Sequence, residues 1–191
     1  MRRLIMEQWL SLDGYAEDRD GTLDFFPSTE ENRYSDRDQL AFLDTVDTIL
    51  LGRRTYELFA DFWPAATTDR EIIADRLNAI PKVVCSNTLT EAPWGTWQPA
   101  RVARGEAIDE VRRLKAEDGK DIVLWGSLSL AQQLMAADLI DDYHLQLCPT
   151  FLGGGRRLLP DLSDALGLRC VSTRSYAPAV TFLHYERVRD D

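Results

Sequence analysis

Short apolar segments that run into a glycine and then into a helix pattern narrow the folds open to this chain more than any other feature. "ILLGRRTYELF" (49–59) and "IVLWGSLSLAQQL" (122–134) both have this form, and "KVVCS" (82–86) and "DIVLW" (121–125) are the short continuous runs expected of strands buried on both sheet faces. Residues 3–12 and 46–51 read as further strands. In "GEAIDEVRRLKAEDG" (105–119), Ala107, Ile108, Val111 and Leu114 recur on one helical face and Gly119 supplies a stop, which makes a crossover helix. "SLSLAQQLMAADLI" (127–140) is a second helix. "DDYHLQLCPTFL" (141–152), "LRCVSTRSY" (168–176) and "VTFLHYERV" (180–188) follow as three consecutive strands, with Ala177 and Pro178 at the last hairpin. The expected architecture is one α/β domain over residues 1–191. It is a three-layer α/β/α sandwich whose mixed, mainly parallel sheet ends in an antiparallel strand pair. Loops are expected at 13–34, 61–70, 87–104 and 149–167, and long loops on a rigid sheet are where binding sites concentrate.

Charge limits the partners. A formal net charge of -10 and a pI near 4.7 oppose approach to nucleic acid or an anionic membrane. No apolar run approaches the length of a membrane span and the basic tip lacks a cleavage site, so a cytoplasmic protein is expected. Cys85, Cys148 and Cys170 lie in apolar runs without C-x-x-C spacing, which predicts buried thiols in a reducing compartment. His144 and Cys148 are the only hint of a metal, too few ligands for a site, and none is predicted.

The two glycine turns carry the chemistry. Gly52 lets the backbone pass close to a ligand, and the helix beginning there aims unpaired N–H groups and its positive dipole end at the same spot. Arg53 and Arg54 add bidentate phosphate binders and Thr55 a hydroxyl, although a glycine turn with solvated arginines explains the same letters. Gly126 and Ser127 repeat the device, with a simple tight turn capped by Ser127 as the alternative. If the two strands are neighbours, both helix N-termini flank one groove at the strand ends, a place suited to a dinucleotide. Ser86 and Asn87 end a third strand and could hold a ribose or its phosphate, or could close a capped turn. The chain has no G-x-G-x-x-G, so a Rossmann site is not supported.

The ordered set "SLDGYAED", "LLGRRTYE", "VVCSNTL", "LWGSLSLAQQLMAADLIDDYHLQLCPTFLGGGRRL" and a closing strand pair resembles the dihydrofolate reductase-like superfamily. The likeness is greatest to stand-alone relatives of the RibD C-terminal reductase domain of riboflavin biosynthesis. The resemblance implies NADPH binding across the strand ends and hydride transfer to a heterocyclic or ribosyl C=N or C=O group of a small molecule. It places Gly52, Arg53, Arg54 and Thr55 at the first phosphate turn, Ser86 and Asn87 near the adenosine 2′-phosphate, and Gly126, Ser127 and Leu128 over the diphosphate. Asp13, Gly14 and Tyr15 fall in the loop beside the nicotinamide. The resemblance also implies a homodimer, with the apolar surface of the late strands as interface.

Likeness to dihydrofolate reductases puts Asp36 near the acidic residue that grips the pterin, where a carboxylate could orient a heterocycle and help deliver a proton. The alternative for Asp36 is a cap on a solvated helix start after Ser35, and for Asp13 a common Asp-Gly turn. Phe59, Phe62 and Trp63 could wall a planar substrate or be ordinary core at a helix end, and Trp9 and Trp125 read as core. The zinc deaminase signatures of the bifunctional riboflavin enzymes are lacking. Where those enzymes place an acidic residue and proline after the glycine turn, this chain has "LFADFWP". Its substrate wall is therefore altered, and another small heterocycle or carbonyl compound fits as well as a ribosylaminopyrimidine. A nucleotide-binding sensor without turnover is the alternative from another class.

Overall fold

The structure, a computed structural model, describes residues 1–159, 165–176, 178 and 180–189, the side chains of 29–34 excepted. The chain runs β1 (Leu4–Ser11), β2 (Tyr15–Glu17), α1 (Thr29–Leu43), β3 (Val46–Gly52), α2 (Arg53–Phe62), a 3₁₀ turn (Trp63–Ala65) and α3 (Ala74–Ala79). It continues through β4 (Lys82–Cys85), β5 (Arg101–Ala103), α4 (Ala107–Ala116), β6 (Asp121–Trp125), α5 (Leu128–Ala136), β7 (Asp142–Cys148), β8 (Arg156–Arg157), β9 (Leu168–Tyr176) and β10 (Val180–Arg187).

Eight strands form one sheet in the order β5-β4-β3-β6-β1-β7-β10-β9. The pairings from β5 to β7 are parallel, and β10 pairs antiparallel with both β7 and β9. Helices cover both faces. On one, Leu4, Met6, Leu50 and Leu124 pack with Val111 and Leu114 of α4 and Leu130 and Leu134 of α5. On the other, Ile49, Leu51 and Val123 pack with Leu43 of α1, Tyr56 of α2 and Leu77 of α3. This is the expected three-layer sandwich. Alternate residues of the same strands feed opposite cores, which is why those strands read as unbroken apolar runs rather than as alternations.

Several expectations need correction. The segment 13–34 is not all loop, because β2 and the start of α1 lie in it, while 87–104 contains β5 and 149–167 contains β8. These strands are two or three residues long, too short to show a period. The helix α1 starts at Thr29, so Asp36 sits within it and does not cap it. Cys170 is exposed on β9, not buried, because the outer strand offers most of its residues to solvent. Of the hairpin residues, Ala177 lies outside the described set.

β2 and β8 make a small second sheet, and Gly155 lets the chain entering β8 pass close to the end of β2. Gly155 has φ +126°, and a Cβ there would run into the Glu17 carbonyl oxygen. Gly155→Ala is therefore expected to destabilise the fold by about 2–3 kcal/mol, through both backbone strain and the clash. Urea denaturation checks this, and an unchanged midpoint would refute it.

Candidate active site

β3 and β6 are adjacent and parallel, but their chains leave for opposite faces, α2 to one and α5 to the other. Such a switch point opens a crevice beyond the strands' carboxyl ends, and the two glycine turns lie in it. They are laced together. The Gly52 N–H donates to Ser127 Oγ at 2.7 Å, and the Ser127 N–H donates to Thr55 Oγ1 at 2.9 Å. Gly126 has φ +53°, and a Cβ there would lie 3.2 Å from Thr55 Cγ2, so the close approach requires glycine.

Neither helix start is closed by a side chain. Gly52 and Ser127 occupy the N-cap positions of α2 and α5 without a side-chain cap, and neither first turn contains an acidic residue. The capping role open to Ser127 in the sequence is thus not realised, since its hydroxyl reaches Gly52 instead. Two sets of helix N–H groups and two dipole ends remain available to anions. Around them is a groove of about 430 Å³ lined by Gly52, Arg53, Arg54, Thr55, Ser86, Asn87, Ser127 and Leu128. Arg156, which the sequence reading missed, joins them from β8. Ser86 also closes a local turn, its Oγ accepting from the Thr88 and Leu89 N–H groups, whereas Asn87 Oδ1 accepts from the Gly105 N–H of a distant loop. Thr55→Val would keep the shape but orphan the Ser127 N–H. A loss of about 1–3 kcal/mol in stability is expected. Thermal melts check it, and an unchanged midpoint would refute it.

A second cavity of about 410 Å³ adjoins the groove and shares its walls Glu17, Thr55, Ser127 and Leu128. Gly126 opens on this side. Phe59 and Trp63 do wall it, with ring centroids 6.1 Å apart, and Phe59 lies 6.0 Å from Trp125. Trp125 and Trp9 are more than core. Both line the cavity, and Trp9 stacks on Phe26 at 5.2 Å.

Asp36 reaches this cavity from α1, and its pKa is pushed up to about 6 by burial first and then by the charge of Glu71. The sequence reading missed Glu7, a carboxyl 5% exposed on central β1 that also lines the cavity. Burial pushes it up to about 7, while the neighbouring Gln39, Trp125 and Gln146 side chains pull it part of the way back. Gln39 Nε2 donates to it at 3.1 Å and Gln146 Nε2 at 3.3 Å. An acidic residue interrupting an apolar strand was the available signal.

Asp13, Gly14 and Tyr15 line neither the groove nor the cavity. Asp13 accepts hydrogen bonds from the Ser11 hydroxyl at 2.7 Å, the Leu152 N–H at 3.1 Å and the Gly153 N–H at 2.7 Å. The Ser11 hydroxyl above all holds its pKa down at about 2, so Asp13 is ionised at neutral pH and has no proton to give. It ties two loops together. The Tyr15 ring packs under Arg157, with Cζ 4.7 Å from the centroid, and it is Ala16 and Glu17 of the same strand that line the cavity.

Residues 2–182 match the RibD C-terminal domain. The chain belongs to that family. An uncharacterized protein of Bacillus subtilis (strain 168), YwjB, is 30% identical over 191 residues, covering 97% of this chain and 98% of YwjB. A structure from Shewanella sp. PV-4, of a protein provisionally assigned to riboflavin biosynthesis, has a TM-score of 0.73 at 25% identity, covering 99% of this chain and 100% of that one. The dihydrofolate reductase of Enterococcus faecalis, in complex with NADP(H), has a TM-score of 0.61 at 13% identity, covering 97% of this chain and 96% of that one. The fold is thus dihydrofolate reductase-like. Among the described residues no helix is long and apolar enough to cross a membrane.

Proposed function

We propose that this RibD C-terminal domain is an NADPH-dependent reductase that delivers hydride to a small heterocyclic or ribosylamino substrate held in the cavity. One observation carries the reading: an arginine-lined groove over two uncapped helix N-termini shares a wall with an aromatic cavity that four carboxyls line. The donors suit a dinucleotide. The helix N–H groups of α2 and α5 fit its diphosphate, and Arg54, Ser86 and Asn87 fit a 2′-phosphate at the adenosine end. Bound there, NADPH would supply hydride and leave as NADP⁺.

The protein's own part is positioning, exclusion of water and proton supply. Phe59, Trp63 and Trp125 hold a flat ring against the shared wall. A C=N or C=O group gains hydride at carbon and one proton at the heteroatom, a two-electron reduction overall. Asp36, raised to about 6, retains a protonated fraction near neutral pH and is placed to donate that proton.

Tryptophan fluorescence during titration with NADPH, and with NADH in parallel, tests the cofactor. Loss of NADPH absorbance with trial heterocycles tests turnover. Saturable binding that favours NADPH supports the proposal, and no binding of either nucleotide overturns it. Tight binding without turnover would instead favour a sensor.

A further inference from the structure

The cavity floor is built of acceptors. Glu7 lies at its base, and Gln146 spends its amide N–H on that carboxylate, which fixes the orientation of the amide. Gln146 Oε1 is then left buried without a donor. Gln8 lines the same cavity, donates its Nε2 to the Trp9 carbonyl at 3.1 Å, and leaves its Oε1 buried without a donor as well. Trp125 adds one indole N–H beside Glu7, itself buried without an acceptor in hydrogen-bond geometry, so the floor offers one donor among its acceptors. Two undonated amide oxygens and a carboxyl, each at most 6% exposed, are costly in isolation and become favourable when a bound group brings N–H or O–H donors.

The walls add a second constraint. Among the described residues, the charged side chains lining the cavity are Glu7, Glu17, Asp36 and Glu71, with no lysine or arginine. Glu17 is met by Arg156 at 3.2 Å, but that guanidinium lies in the cofactor groove, as do Arg53 and Arg54. The shared wall therefore separates the arginines from the carboxylates. Among the described residues, a phosphate in the cavity would meet Glu7 and Asp36 with no lysine or arginine lining it.

We infer that the cavity takes an aromatic ring bearing N–H donors and no phosphate, seated with its donor edge on Glu7, Gln8 and Gln146. This rests on the reductase reading only in calling the occupant a substrate, and it narrows that reading away from phosphorylated ribosylamino compounds. Amidine-edged or amino-substituted azines fit the description, with Trp9, Phe59, Trp63 and Trp125 supplying faces for the ring.

The test uses two probes that share a benzene ring. Benzamidine presents N–H donors and a positive charge, whereas phenyl phosphate presents acceptors and a negative one. Calorimetry on the full chain, about one pH unit above the Glu7 value, is expected to show benzamidine binding at least about tenfold tighter than phenyl phosphate. Glu7→Gln should weaken benzamidine about tenfold, and Gln146→Leu should weaken it as well, a second variant should the first fail to fold. No benzamidine binding, equal or tighter binding of phenyl phosphate, or affinity unchanged in both variants overturns the inference. NADPH titration of the same samples separates the two proposals. Benzamidine binding without NADPH binding sinks only the reductase, and NADPH binding with a preference for phenyl phosphate sinks only the substrate class.

Discussion

Replacing Arg53 and Arg54 together by alanine is expected to weaken NADPH binding about a hundredfold, since two charge-assisted contacts of about 1.5 kcal/mol each are removed. Stability should barely change. Both side chains are exposed, and the ion pair Arg53 makes is an i,i+4 contact with Glu57 at 3.8 Å, worth a few tenths of a kcal/mol. NADH, which lacks the 2′-phosphate, should lose less, so the preference for NADPH should shrink. The protein's charge of -10 sharpens the expectation, because a polyanionic cofactor approaching such a surface depends on the few cations that face it. Raising the salt should weaken the wild type more than the double variant. Fluorescence titration beside a thermal melt reads both quantities. Unchanged NADPH affinity in a folded double variant would leave "LGRRTYE" as a turn that serves the fold.

The parts of this site that could be read from the sequence are those fixed by backbone geometry. A buried strand, a glycine and a helix start follow one another in the chain, so Gly52, Thr55, Gly126 and Ser127 announce a turn with open N–H groups before any fold is known. What the letters did not contain is that β3 and β6 are neighbours, which turns two separate devices into one groove. Asp36 was legible only through resemblance, since its helix is so charged that its start could not be found and its own environment could not be judged. Glu7 showed only as an acidic residue interrupting an apolar strand, and Gln146 was not legible at all. They become partners because β1 and β7 lie side by side, a pairing between residues 139 positions apart in the chain. Tyr15 shows the reverse failure. The motif pointed to the correct strand, but Ala16 and Glu17, not Tyr15, line the cavity, and an irregularity in register between Tyr15 and Glu17 breaks the regular alternation there.

Glu7 offers a prediction in which the candidate site works against the fold. Its pKa is raised from 4.5 to about 7 in the folded protein, so between those values the native state holds more protons than the unfolded chain. The stability this contributes is fully present below about pH 4.5 and is lost as pH rises through about 7. Above that, the native state holds a buried carboxylate at a cost of up to about 3 kcal/mol. Glu7→Gln removes the charge and nearly keeps the shape, so the variant should match the wild type near pH 4.5 and exceed it near pH 8 by up to about 3 kcal/mol.

The groups around Glu7 do not imitate this signature. Gln39 from α1, Gln146 from β7 and Trp125 from β6 do not titrate, and His144 of β7, whose Nδ1 lies 3.9 Å away, is held near 3 by burial and so stays neutral across the window. Asp36 changes charge near 6 but is present in both proteins, so it largely cancels in the difference. Denaturant unfolding of the two proteins at the two pH values decides the matter, and a gap that is the same at both would show that Glu7 is not the group responsible. A variant more stable at high pH that binds benzamidine more weakly would mean that the buried charge is kept for what it binds.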